Sequence, residues 1–203
     1  MSKELENFWK GEFGDDYTDR NNDLEIVSAN ISLFAEILQH TVSVKSVLEF
    51  GCNRGLNLKA LRQLLPLASL AGVEINEKAA TLAGAEGDCE IFVSSLDQFS
   101  TDTQYDLVFT KGVLIHIAPN ELDAVYEKFF RFSSRYVLIA EYFNPSPVEI
   151  EYRGHEGRLF KRDFASEILA QYSDLTLLKY GFRYHLDSGF PQDDLTWFLF
   201  EKR

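Results

Sequence analysis

The sequence predicts one α/β domain in which seven strands form a mostly parallel sheet with helices on both faces. Five short apolar runs alternate with segments whose apolar residues recur every three or four positions, a pattern typical of parallel strands joined by crossover helices. Two further runs end the chain and are joined by DSGFPQDD, a loop that suits a hairpin, so one strand is expected to be antiparallel. A chain of 203 residues without a linker or repeat fits one core, residues 1–203.

The seven expected strands are short apolar runs of the kind found in sheets covered on both faces. They lie at residues 46–50, 69–75, 90–93, 105–110, 135–143, 175–185 and 195–201. The last two form the terminal hairpin.

Helices are expected between these strands. An apolar stripe begins at Leu24 and continues through Val27, Ile31, Phe34 and Leu38, which predicts the first helix of the core. A second helix is expected at 58–65, ended by Pro66, and a third at 77–83. Two more are expected, one from a cap at Asn120 to residue 132 and one from a cap at Asp163 to about residue 172.

Composition and charge disfavour several classes of function. The chain has 20 basic and 32 acidic residues, a net charge of −12, which repels a phosphate backbone, so no nucleic-acid partner is expected. The amino terminus is charged and no run approaches the length of a membrane helix, which predicts a soluble cytoplasmic protein without a membrane partner. With two cysteines and no ligand spacing, neither a disulfide scaffold nor a metal site is expected.

A glycine-containing turn follows the first strand in SVLEFGCNRGLN, residues 46–57. The dinucleotide pattern G-x-G-x-x-G fails there, because Asn53 and Leu56 occupy its later glycine positions. The phosphate-loop pattern also fails, because Gly55 comes one position early and no Lys follows it. What remains is an acid, Glu49, two positions before Gly51 and six before Gly55.

Two acids at neighbouring strand ends indicate the ligand. Glu49 suits a cationic group such as an α-amine beside a sulfonium, and Glu74, some 20 residues after the turn, suits the hydroxyls of a ribose. Together, without a phosphate cradle, they predict S-adenosylmethionine. The alternative is a turn without a ligand, with Glu74 solvated.

Three successive motifs carry a family resemblance. VLEFGCNRGLN, LAGVEIN and YDLVFTKGVLIHI resemble the motifs of class I S-adenosylmethionine-dependent methyltransferases over residues 46–117. The resemblance implies their Rossmann-like fold, with a seven-stranded sheet and one antiparallel strand in the C-terminal hairpin. FWKGEFGDDYTDRN at 8–21 and EYFNPSPVEIEYRGHEGRLFKRDF at 141–164 further resemble methyltransferases associated with pseudaminic acid biosynthesis.

The resemblance also implies cofactor contacts, with one departure, since Asn53 stands where many relatives carry glycine. The residues expected to line the methionine part are Gly51, Asn53 and Gly55. Those expected at the ribose and adenine are Glu74, Ile75, Ser95 and Leu96, with Asp97 as the acid nearest to the adenine edge. Lys111 and Gly112 are expected to border the transferable methyl.

Residues 1–22 are expected to form an aromatic lid ahead of the core, 23–203. The segment contains Phe8, Trp9, Phe13 and Tyr17, with Gly11 and Gly14 as candidate hinges. Such a segment could fold over the pocket and exclude water, with Phe13 and Tyr17 at the cofactor and Arg20 on its carboxylate. Alternatively, it covers only the edge of the sheet.

Catalytic and acceptor-binding candidates follow the fourth and fifth strands. His116 could take a proton from the acceptor, or it could be a packed histidine near Pro119. Tyr17 and Tyr142 are further catalytic candidates, and His116 and Tyr142 are also expected at the acceptor. In YRGHEGRLF, His155 is the competing base, while Arg153 and Arg158 could bind a phosphate or carboxylate of the acceptor or form a solvated loop.

The expected activity is methyl transfer to an amino or hydroxyl group of a small molecule, namely a sugar or nucleotide-sugar of bacterial surface glycan biosynthesis. The alternatives are a protein or RNA methyltransferase, or a cofactor-binding partner module without turnover. The protein is expected to be a monomer or a homodimer.

Overall fold

A computed structural model describes residues 3–20 and 24–203, apart from the side chains of residues 86 and 87. The helices are α1 (Lys3–Lys10), α2 (Glu12–Arg20), α3 (Leu24–Leu38), α4 (Leu56–Leu64), α5 (Glu77–Gly87), α6 (Leu122–Phe132) and α7 (Phe164–Gln171). The strands are β1 (Ser46–Phe50), β2 (Ser69–Glu74), β3 (Glu90–Val93), β4 (Tyr105–Lys111), β5 (Ser133–Glu141), β6 (Val148–Tyr152), β7 (His155–Lys161), β8 (Leu175–Arg183) and β9 (Leu195–Lys202).

Seven strands form one sheet in the order β3-β2-β1-β4-β5-β9-β8. All neighbouring pairs from β3 to β5 are parallel, whereas β9 runs antiparallel to both β5 and β8. This topology confirms the predicted sheet and its single antiparallel strand. None of the helices in the described ranges has the length and apolar character that crossing a membrane requires.

Side chains on both faces of the sheet are buried, as the continuous apolar runs require. On one face Phe50 packs against Phe129 of α6, with ring centroids 4.9 Å apart. On the other face Phe109 packs against Phe34 of α3, at 5.3 Å. The sheet is therefore held between two helical layers, and the carboxyl ends of its parallel strands lie together at one edge.

A second, two-stranded sheet formed by β6 and β7 was not predicted. The sequence indicated a glycine-punctuated loop, but these residues form an antiparallel hairpin in which Tyr152 pairs with His155. The two residues between them, Arg153 and Gly154, both have positive φ, 50° and 83°, which is the conformation of a tight two-residue hairpin turn.

Several predicted boundaries were wrong by a few residues. Helix α5 continues through Gly84 to Gly87, because the left-handed Asp88 ends it. Asn120 does not cap α6, since residues Pro119–Glu121 form a 3₁₀ turn and the helix begins at Leu122. Strand β5 starts and ends two residues earlier than expected.

The aromatic amino-terminal segment is helical over the residues described. Gly14, a candidate hinge, lies inside α2, where a Cβ would stand 1.9 Å from the Trp9 carbonyl oxygen. Glycine is needed there for close packing of α2 on the end of α1. The predicted boundary between lid and core, at residues 22 and 23, lies outside the described residues, as does Asn21 of the motif.

Candidate active site

A cleft opens at the carboxyl edge of the sheet, between the ends of β1, β2 and β4 and beneath α1 and α2. It is lined by Trp9, Tyr17, Ile26, Asn30, Gly51, Cys52, Asn53, Arg54, Leu56, Asn57, Val73, Glu74, Ile75, Ser94, Leu96, Lys111, Gly112, Val113, His116 and Ile117. Ligands of open α/β sheets bind in this position.

The turn after β1 depends on one glycine and one asparagine. Gly51 has φ of 71°, and a Cβ there would stand 2.5 Å from a methyl group of Val113. Asn53 is also left-handed, with φ of 46°, and its side-chain Oδ1 accepts from the Arg54 N–H at 2.7 Å. Asparagine tolerates this conformation, so the glycine of many relatives is not required at that position.

Glu49 lies fully buried at the carboxyl end of β1. Its Oε1 accepts a hydrogen bond from Asn57 Nδ2 at 2.6 Å, while Oε2 has no partner among the residues that the structure describes. Burial raises the pKa of this carboxyl to about 8, although the Asn57 bond and the charge of Lys111 lower it. A cationic ligand group would satisfy the free oxygen and favour the ionised form.

Glu74 joins two turns at the edge of the cleft. Its two oxygens accept backbone N–H bonds from Asn53, at 2.7 Å, and from Asn76, at 2.8 Å. Burial raises the pKa of this carboxyl, and these N–H bonds oppose the increase. Each carboxylate oxygen keeps a second lone pair, so the group can still accept hydrogen bonds from a diol.

Beyond Glu74, Ile75 and Leu96 form an apolar wall that lines the cleft. Ser95 does not line it, because its side chain is buried beside Leu96; Ser94 lines the cleft instead.

Lys111 ends β4 and Gly112 follows it, and both line the cleft. An added Cβ at Gly112 would meet no described heavy atom within 4 Å, so the floor of the cleft is open there. Burial lowers the pKa of Lys111, while the charges of Asp193, Glu49 and Glu141 raise it.

His116 lies buried in a 3₁₀ turn, Leu114–His116, at the end of the cleft. Its Nδ1 is 2.6 Å from the Arg158 carbonyl oxygen, which only accepts, so Nδ1 carries the hydrogen and Nε2 is left as the acceptor. Burial lowers the pKa of the ring to about 4, which keeps it neutral at pH 7.

The turn that carries His116 is anchored by Glu141, a residue that the sequence analysis did not select. The carboxylate accepts hydrogen bonds from the N–H groups of Val113, at 2.9 Å, and Leu114, at 3.0 Å. Burial raises the pKa of Glu141 to about 7, and these bonds oppose the increase. The acid ends β5 and has no local signature in the sequence, so only the fold brings it to the turn.

Helices α1 and α2 form a roof over the cleft, with Trp9 and Tyr17 facing into it. Asn76 holds this roof: its Nδ2 donates to the Trp9 carbonyl oxygen at 3.2 Å and to Asp15 at 2.8 Å. Trp9 also contacts His116, with ring centroids 4.8 Å apart.

Five residues predicted at the cofactor lie outside the cleft lining, namely Phe13, Arg20, Glu49, Gly55 and Ser95. Glu49 is fully buried at the end of β1. Phe13 stacks on Phe8, with centroids 4.1 Å apart, and the exposed Arg20 guanidinium lies 5.7 Å above the Phe13 ring. Gly55 begins α4 with φ of 77°, and a Cβ there would stand 3.2 Å from Ala83, so this glycine serves helix packing.

The acceptor candidates of the hairpin also lie outside the lining. Arg158 binds Glu4 at 2.5 Å and its guanidinium lies 5.2 Å from the Phe8 ring centre, while His155 contacts the same ring at 5.1 Å. These two side chains hold α1 against β7. Arg153 is exposed in the turn.

Tyr142 packs beside the cleft without lining it. Lys161 Nζ lies 5.0 Å from its ring centre. Burial and the neighbouring Asp193 raise its pKa, so the hydroxyl is a hydrogen-bond donor at neutral pH, not a base.

The cleft also contains polar residues that the sequence analysis missed. Arg54 and Asn57 belong to the glycine motif itself, Arg54 in its turn and Asn57 at the start of α4, and could have been found from that position. Asn30 lies in α3, and its Oδ1 accepts a hydrogen bond from Gln192 Nε2 at 3.2 Å. The two residues are 162 positions apart, so no local pattern in the sequence predicts this contact. Among the described residues, no three His, Cys, Asp or Glu side chains gather as a metal site.

Comparison with known proteins gives one family match. Residues 47–134 match the family described as "Methyltransferase domain", a range that includes β1 to β4 and the turns that carry Gly51, Glu74 and His116. No match was found among curated protein sequences.

Solved structures share the fold over nearly the whole chain. The magnesium protoporphyrin IX methyltransferase of Synechocystis PCC 6803, with bound S-adenosylhomocysteine, is 17% identical with a TM-score of 0.70, covering 98% of each chain. The plantazolicin methyltransferase BpumL, in complex with a substrate analogue and S-adenosylhomocysteine, is 16% identical with a TM-score of 0.66, covering 99% of this chain and 98% of that one. The 1,6-didemethyltoxoflavin-N1-methyltransferase of Burkholderia thailandensis is 12% identical with a TM-score of 0.70, covering 98% and 87%.

At these identities the likeness shows the fold, and the family match lies over the strands that build the cleft. Residues 47–134 therefore match a methyltransferase domain, and the chain as a whole has the Rossmann-like fold of these enzymes crystallised with S-adenosylhomocysteine.

Proposed function

We propose that this protein transfers a methyl group from S-adenosylmethionine to an amino or hydroxyl group of a small molecule, namely a sugar or nucleotide-sugar of a bacterial surface glycan. One observation carries the proposal: a neutral His116, with Nε2 as its acceptor, lines a cleft roofed by Trp9 and Tyr17. A roof of this kind suits a small acceptor better than a polynucleotide or a folded protein.

The residues present fit S-adenosylmethionine. Glu49 Oε2, which accepts no hydrogen bond from the described part of the chain, suits the amino group, Glu74 suits the ribose, and the apolar Ile75 and Leu96 suit the adenine. The open floor at Gly112 leaves space beside them for the reacting groups. When bound, the cofactor supplies a methyl group already activated by a sulfonium.

The chain then has three tasks. It must align the acceptor, exclude water and manage one proton. Trp9 and Tyr17 close the cleft from above, and Glu141 fixes the turn that carries His116. Nε2 of His116 accepts the proton of a hydroxyl acceptor as the methyl group is transferred, whereas a neutral amine can react without a base.

Two segments support a sugar derivative as the acceptor. The resemblance to the pseudaminic acid-associated methyltransferases lies in residues 8–21 and 141–164, which include α2 and the β6–β7 hairpin. Arg158 of the hairpin contacts Glu4 and Phe8 of α1, so the roof and the hairpin are joined beside His116. This arrangement supports a shared role in holding the acceptor.

The experiment begins with calorimetry of S-adenosylmethionine, its demethylated product and NAD. Radiolabelled methyl transfer is then measured with amino sugars, nucleotide-linked sugars, peptides and RNA. We expect binding of the first two ligands and incorporation into a sugar derivative. Incorporation into peptide or RNA alone would replace the proposed acceptor, and tight binding without incorporation into any acceptor would favour a partner module.

Replacing His116 by Gln separates the two acceptor chemistries. A hydroxyl acceptor should lose about 100-fold or more in kcat, because general-base catalysis contributes on that order. An amine acceptor should lose far less, since its nitrogen needs no base.

A further inference from the structure

Strand β8 is an edge of the seven-stranded sheet. It pairs with β9 on one side, and within the described ranges no strand pairs with its other side. The strand is nine residues long and contains no proline. A long edge of this kind presents a row of backbone N–H and C=O groups that can pair with another strand.

Apolar side chains along this edge are exposed to solvent. We define the β8 patch as five residues at every second position of the sequence, centred on Phe182. Leu178 lies at a β-bulge between Leu177 and Lys179, and Leu186 lies in the turn closed by the hydrogen bond from Asp187 N–H to the Tyr184 carbonyl oxygen, so the regular row consists of Tyr180, Phe182 and Tyr184. The exposed fractions in the β8 patch are 38% for Leu178, 63% for Tyr180, 57% for Phe182, 46% for Tyr184 and 68% for Leu186. Monomeric proteins seldom leave aromatic side chains exposed in such a continuous row.

Two of the intervening residues of β8 contact other parts of the molecule. A Cβ at Gly181 would stand 2.6 Å from the indole of Trp197, so the two strands pack closely there. Arg183 binds Glu36 of α3 at 2.7 Å. Gly181 and Arg183 thus contact other parts of the protein, whereas Leu177 and Lys179 near the start of β8 are exposed, like the β8 patch.

The order of side chains in the β8 patch is symmetrical. Leucine, tyrosine, phenylalanine, tyrosine and leucine read the same in both directions from Phe182. Two identical strands that pair antiparallel across a two-fold axis meet in reverse order, so Tyr180 would lie near the partner's Tyr184. Self-complementarity of this kind is what an interface between two copies requires.

Charge along the edge also permits two copies to approach. The protein carries 32 acidic residues and a net charge of −12, yet residues 175–186 contain no Asp or Glu. Their charged groups are Lys179, Arg183 and, when protonated, His185, and His185 lies 2.8 Å from Asp194. The general repulsion between two copies is therefore weakest at this edge.

The exposed area is large enough for a specific contact. With roughly 150–250 Å² on each aromatic side chain, the exposed parts of the β8 patch amount to about 500 Å². If all of this area were covered, two copies would bury at most about 1,000 Å² of side-chain surface, which reaches the lower bound of a specific interface, and paired backbone edges would add to it.

From these features we propose that the protein forms a two-fold homodimer in which the β8 strands of two copies pair antiparallel and their β8 patches pack together. The two sheets then continue as one across the axis. The symmetrical order of side chains and the absence of acidic residues from 175–186 favour a second copy of this chain as the binding partner.

Light scattering after size exclusion, at about 1 and 100 μM, tests the proposal, because dimer formation depends on concentration. Wild-type protein should reach twice its chain mass of 23.3 kDa at the higher concentration. The double variant Tyr180→Lys with Phe182→Lys should remain a monomer, because two like charges would then meet across the axis. Both side chains are more than half exposed, so unfolding curves should match those of the wild type.

Leu67→Lys provides the matched control, since Leu67 is 98% exposed between α4 and β2 and lies outside the β8 patch. This variant should dimerise like the wild type. A wild-type protein that stays monomeric at 100 μM, a double variant that still dimerises, or a series of larger species without a dimer would each overturn the proposal.

Discussion

At the scale of single residues, Glu49 is the group whose charge should change when the cofactor binds. With a pKa of about 8 in the free protein, this carboxyl is mostly protonated at pH 7. A bound ammonium group beside Oε2 would favour the carboxylate, so the proton must leave. Binding and proton release are therefore coupled.

Calorimetry in buffers of different ionisation enthalpy measures this coupling. Binding of S-adenosylhomocysteine, which carries the same amine, should release close to one proton at pH 7 and almost none at pH 9. Glu49→Gln should abolish the release and weaken binding about 10- to 100-fold, on the scale of a charged hydrogen bond. A binding enthalpy that is independent of the buffer would contradict the assignment.

Glu141 acts on His116 through the turn between them. Glu141→Ala removes the acceptor of two backbone N–H groups, which should cost about 2–4 kcal/mol of stability and release the turn. The pKa of His116 should then rise from about 4 toward 6.5, because the ring becomes solvated. Glu141→Gln keeps a carbonyl oxygen at the same position and should preserve the turn.

Histidine NMR follows this change directly, since the chain has four histidines. In the wild type and in Glu141→Gln, the nitrogen shifts of His116 should report a hydrogen on Nδ1 at every pH above about 5. In Glu141→Ala, a mixture of tautomers and a titration near pH 6 are expected. Unchanged signals in Glu141→Ala would rule out Glu141 as a positioning residue.

At the scale of elements, Asn76 links the roof to the sheet. Its Oδ1 caps α5 by accepting from the Ala79 N–H at 2.8 Å, and its Nδ2 donates to α1 and α2 residues. Asn76→Ala should cost about 1 kcal/mol through the lost cap. It should also weaken binding of S-adenosylhomocysteine about tenfold, because two hydrogen bonds that hold the roof are lost.

The matched control is Asp163→Ala, which removes the cap of α7, where Asp163 accepts from the Ser166 N–H at 2.9 Å. Asp163 does not line the cleft, so this variant should lose similar stability and bind with unchanged affinity. Thermal unfolding and calorimetry on both variants make the comparison. Equal affinities would show that the roof does not contribute to binding.

Elements with strong local patterns were predictable, and those with weak patterns were not. Continuous apolar runs predicted the strands of the large sheet, and the carboxylate at Asp163 predicted the cap of α7. The β6–β7 hairpin was missed because VEIEY is half exposed and its turn, Arg153-Gly154, lacks the common Asn-Gly signal. The roof helices were missed because they are short and rich in charged residues, and their aromatic side chains pack largely on one another.

At the scale of the whole molecule, sheet topology explains which site residues the sequence could predict. Glu49, Glu74 and Lys111 end parallel strands, so their placement at one edge follows from the strand order alone. Arg20 and Arg158 were assigned to ligands because arginine suits anions, but tertiary contacts place Arg20 over Phe13 and Arg158 on Glu4. Asn30 and Glu141 reach the site through contacts that no local pattern records.

The buried ionisable groups also set a pH dependence for the stability of the free protein. The pKa values of Glu49 and Glu141, about 8 and about 7, lie above the ordinary value of 4.5 that they regain on unfolding. Over this interval the folded state holds more protons than the unfolded state, so the free energy of unfolding falls as pH rises. His116 has the opposite sign, because its pKa is about 4 when folded and 6.5 when unfolded.

The stability that the neutral His116 contributes is lost as pH falls from 6.5 to 4. Between pH 4 and 6.5 its effect on the free energy of unfolding therefore offsets the effect of one of the two carboxyls, and above pH 6.5 it offsets neither. The net decline in the free energy of unfolding should therefore be steepest between pH 6.5 and 7, where both carboxyls contribute and His116 offsets little of the decline. Between pH 7 and 8 the decline should become shallower, and Glu49 should cause most of it, at up to about 1.4 kcal/mol per pH unit. Urea unfolding across this range measures the slope. Glu49→Gln should flatten it, whereas Glu156→Gln, at an exposed carboxyl of β7, should leave it unchanged. A Glu49→Gln protein with the full wild-type slope would mean that Glu49 is already ionised in the folded protein and that the cleft carries a negative charge before any cofactor binds.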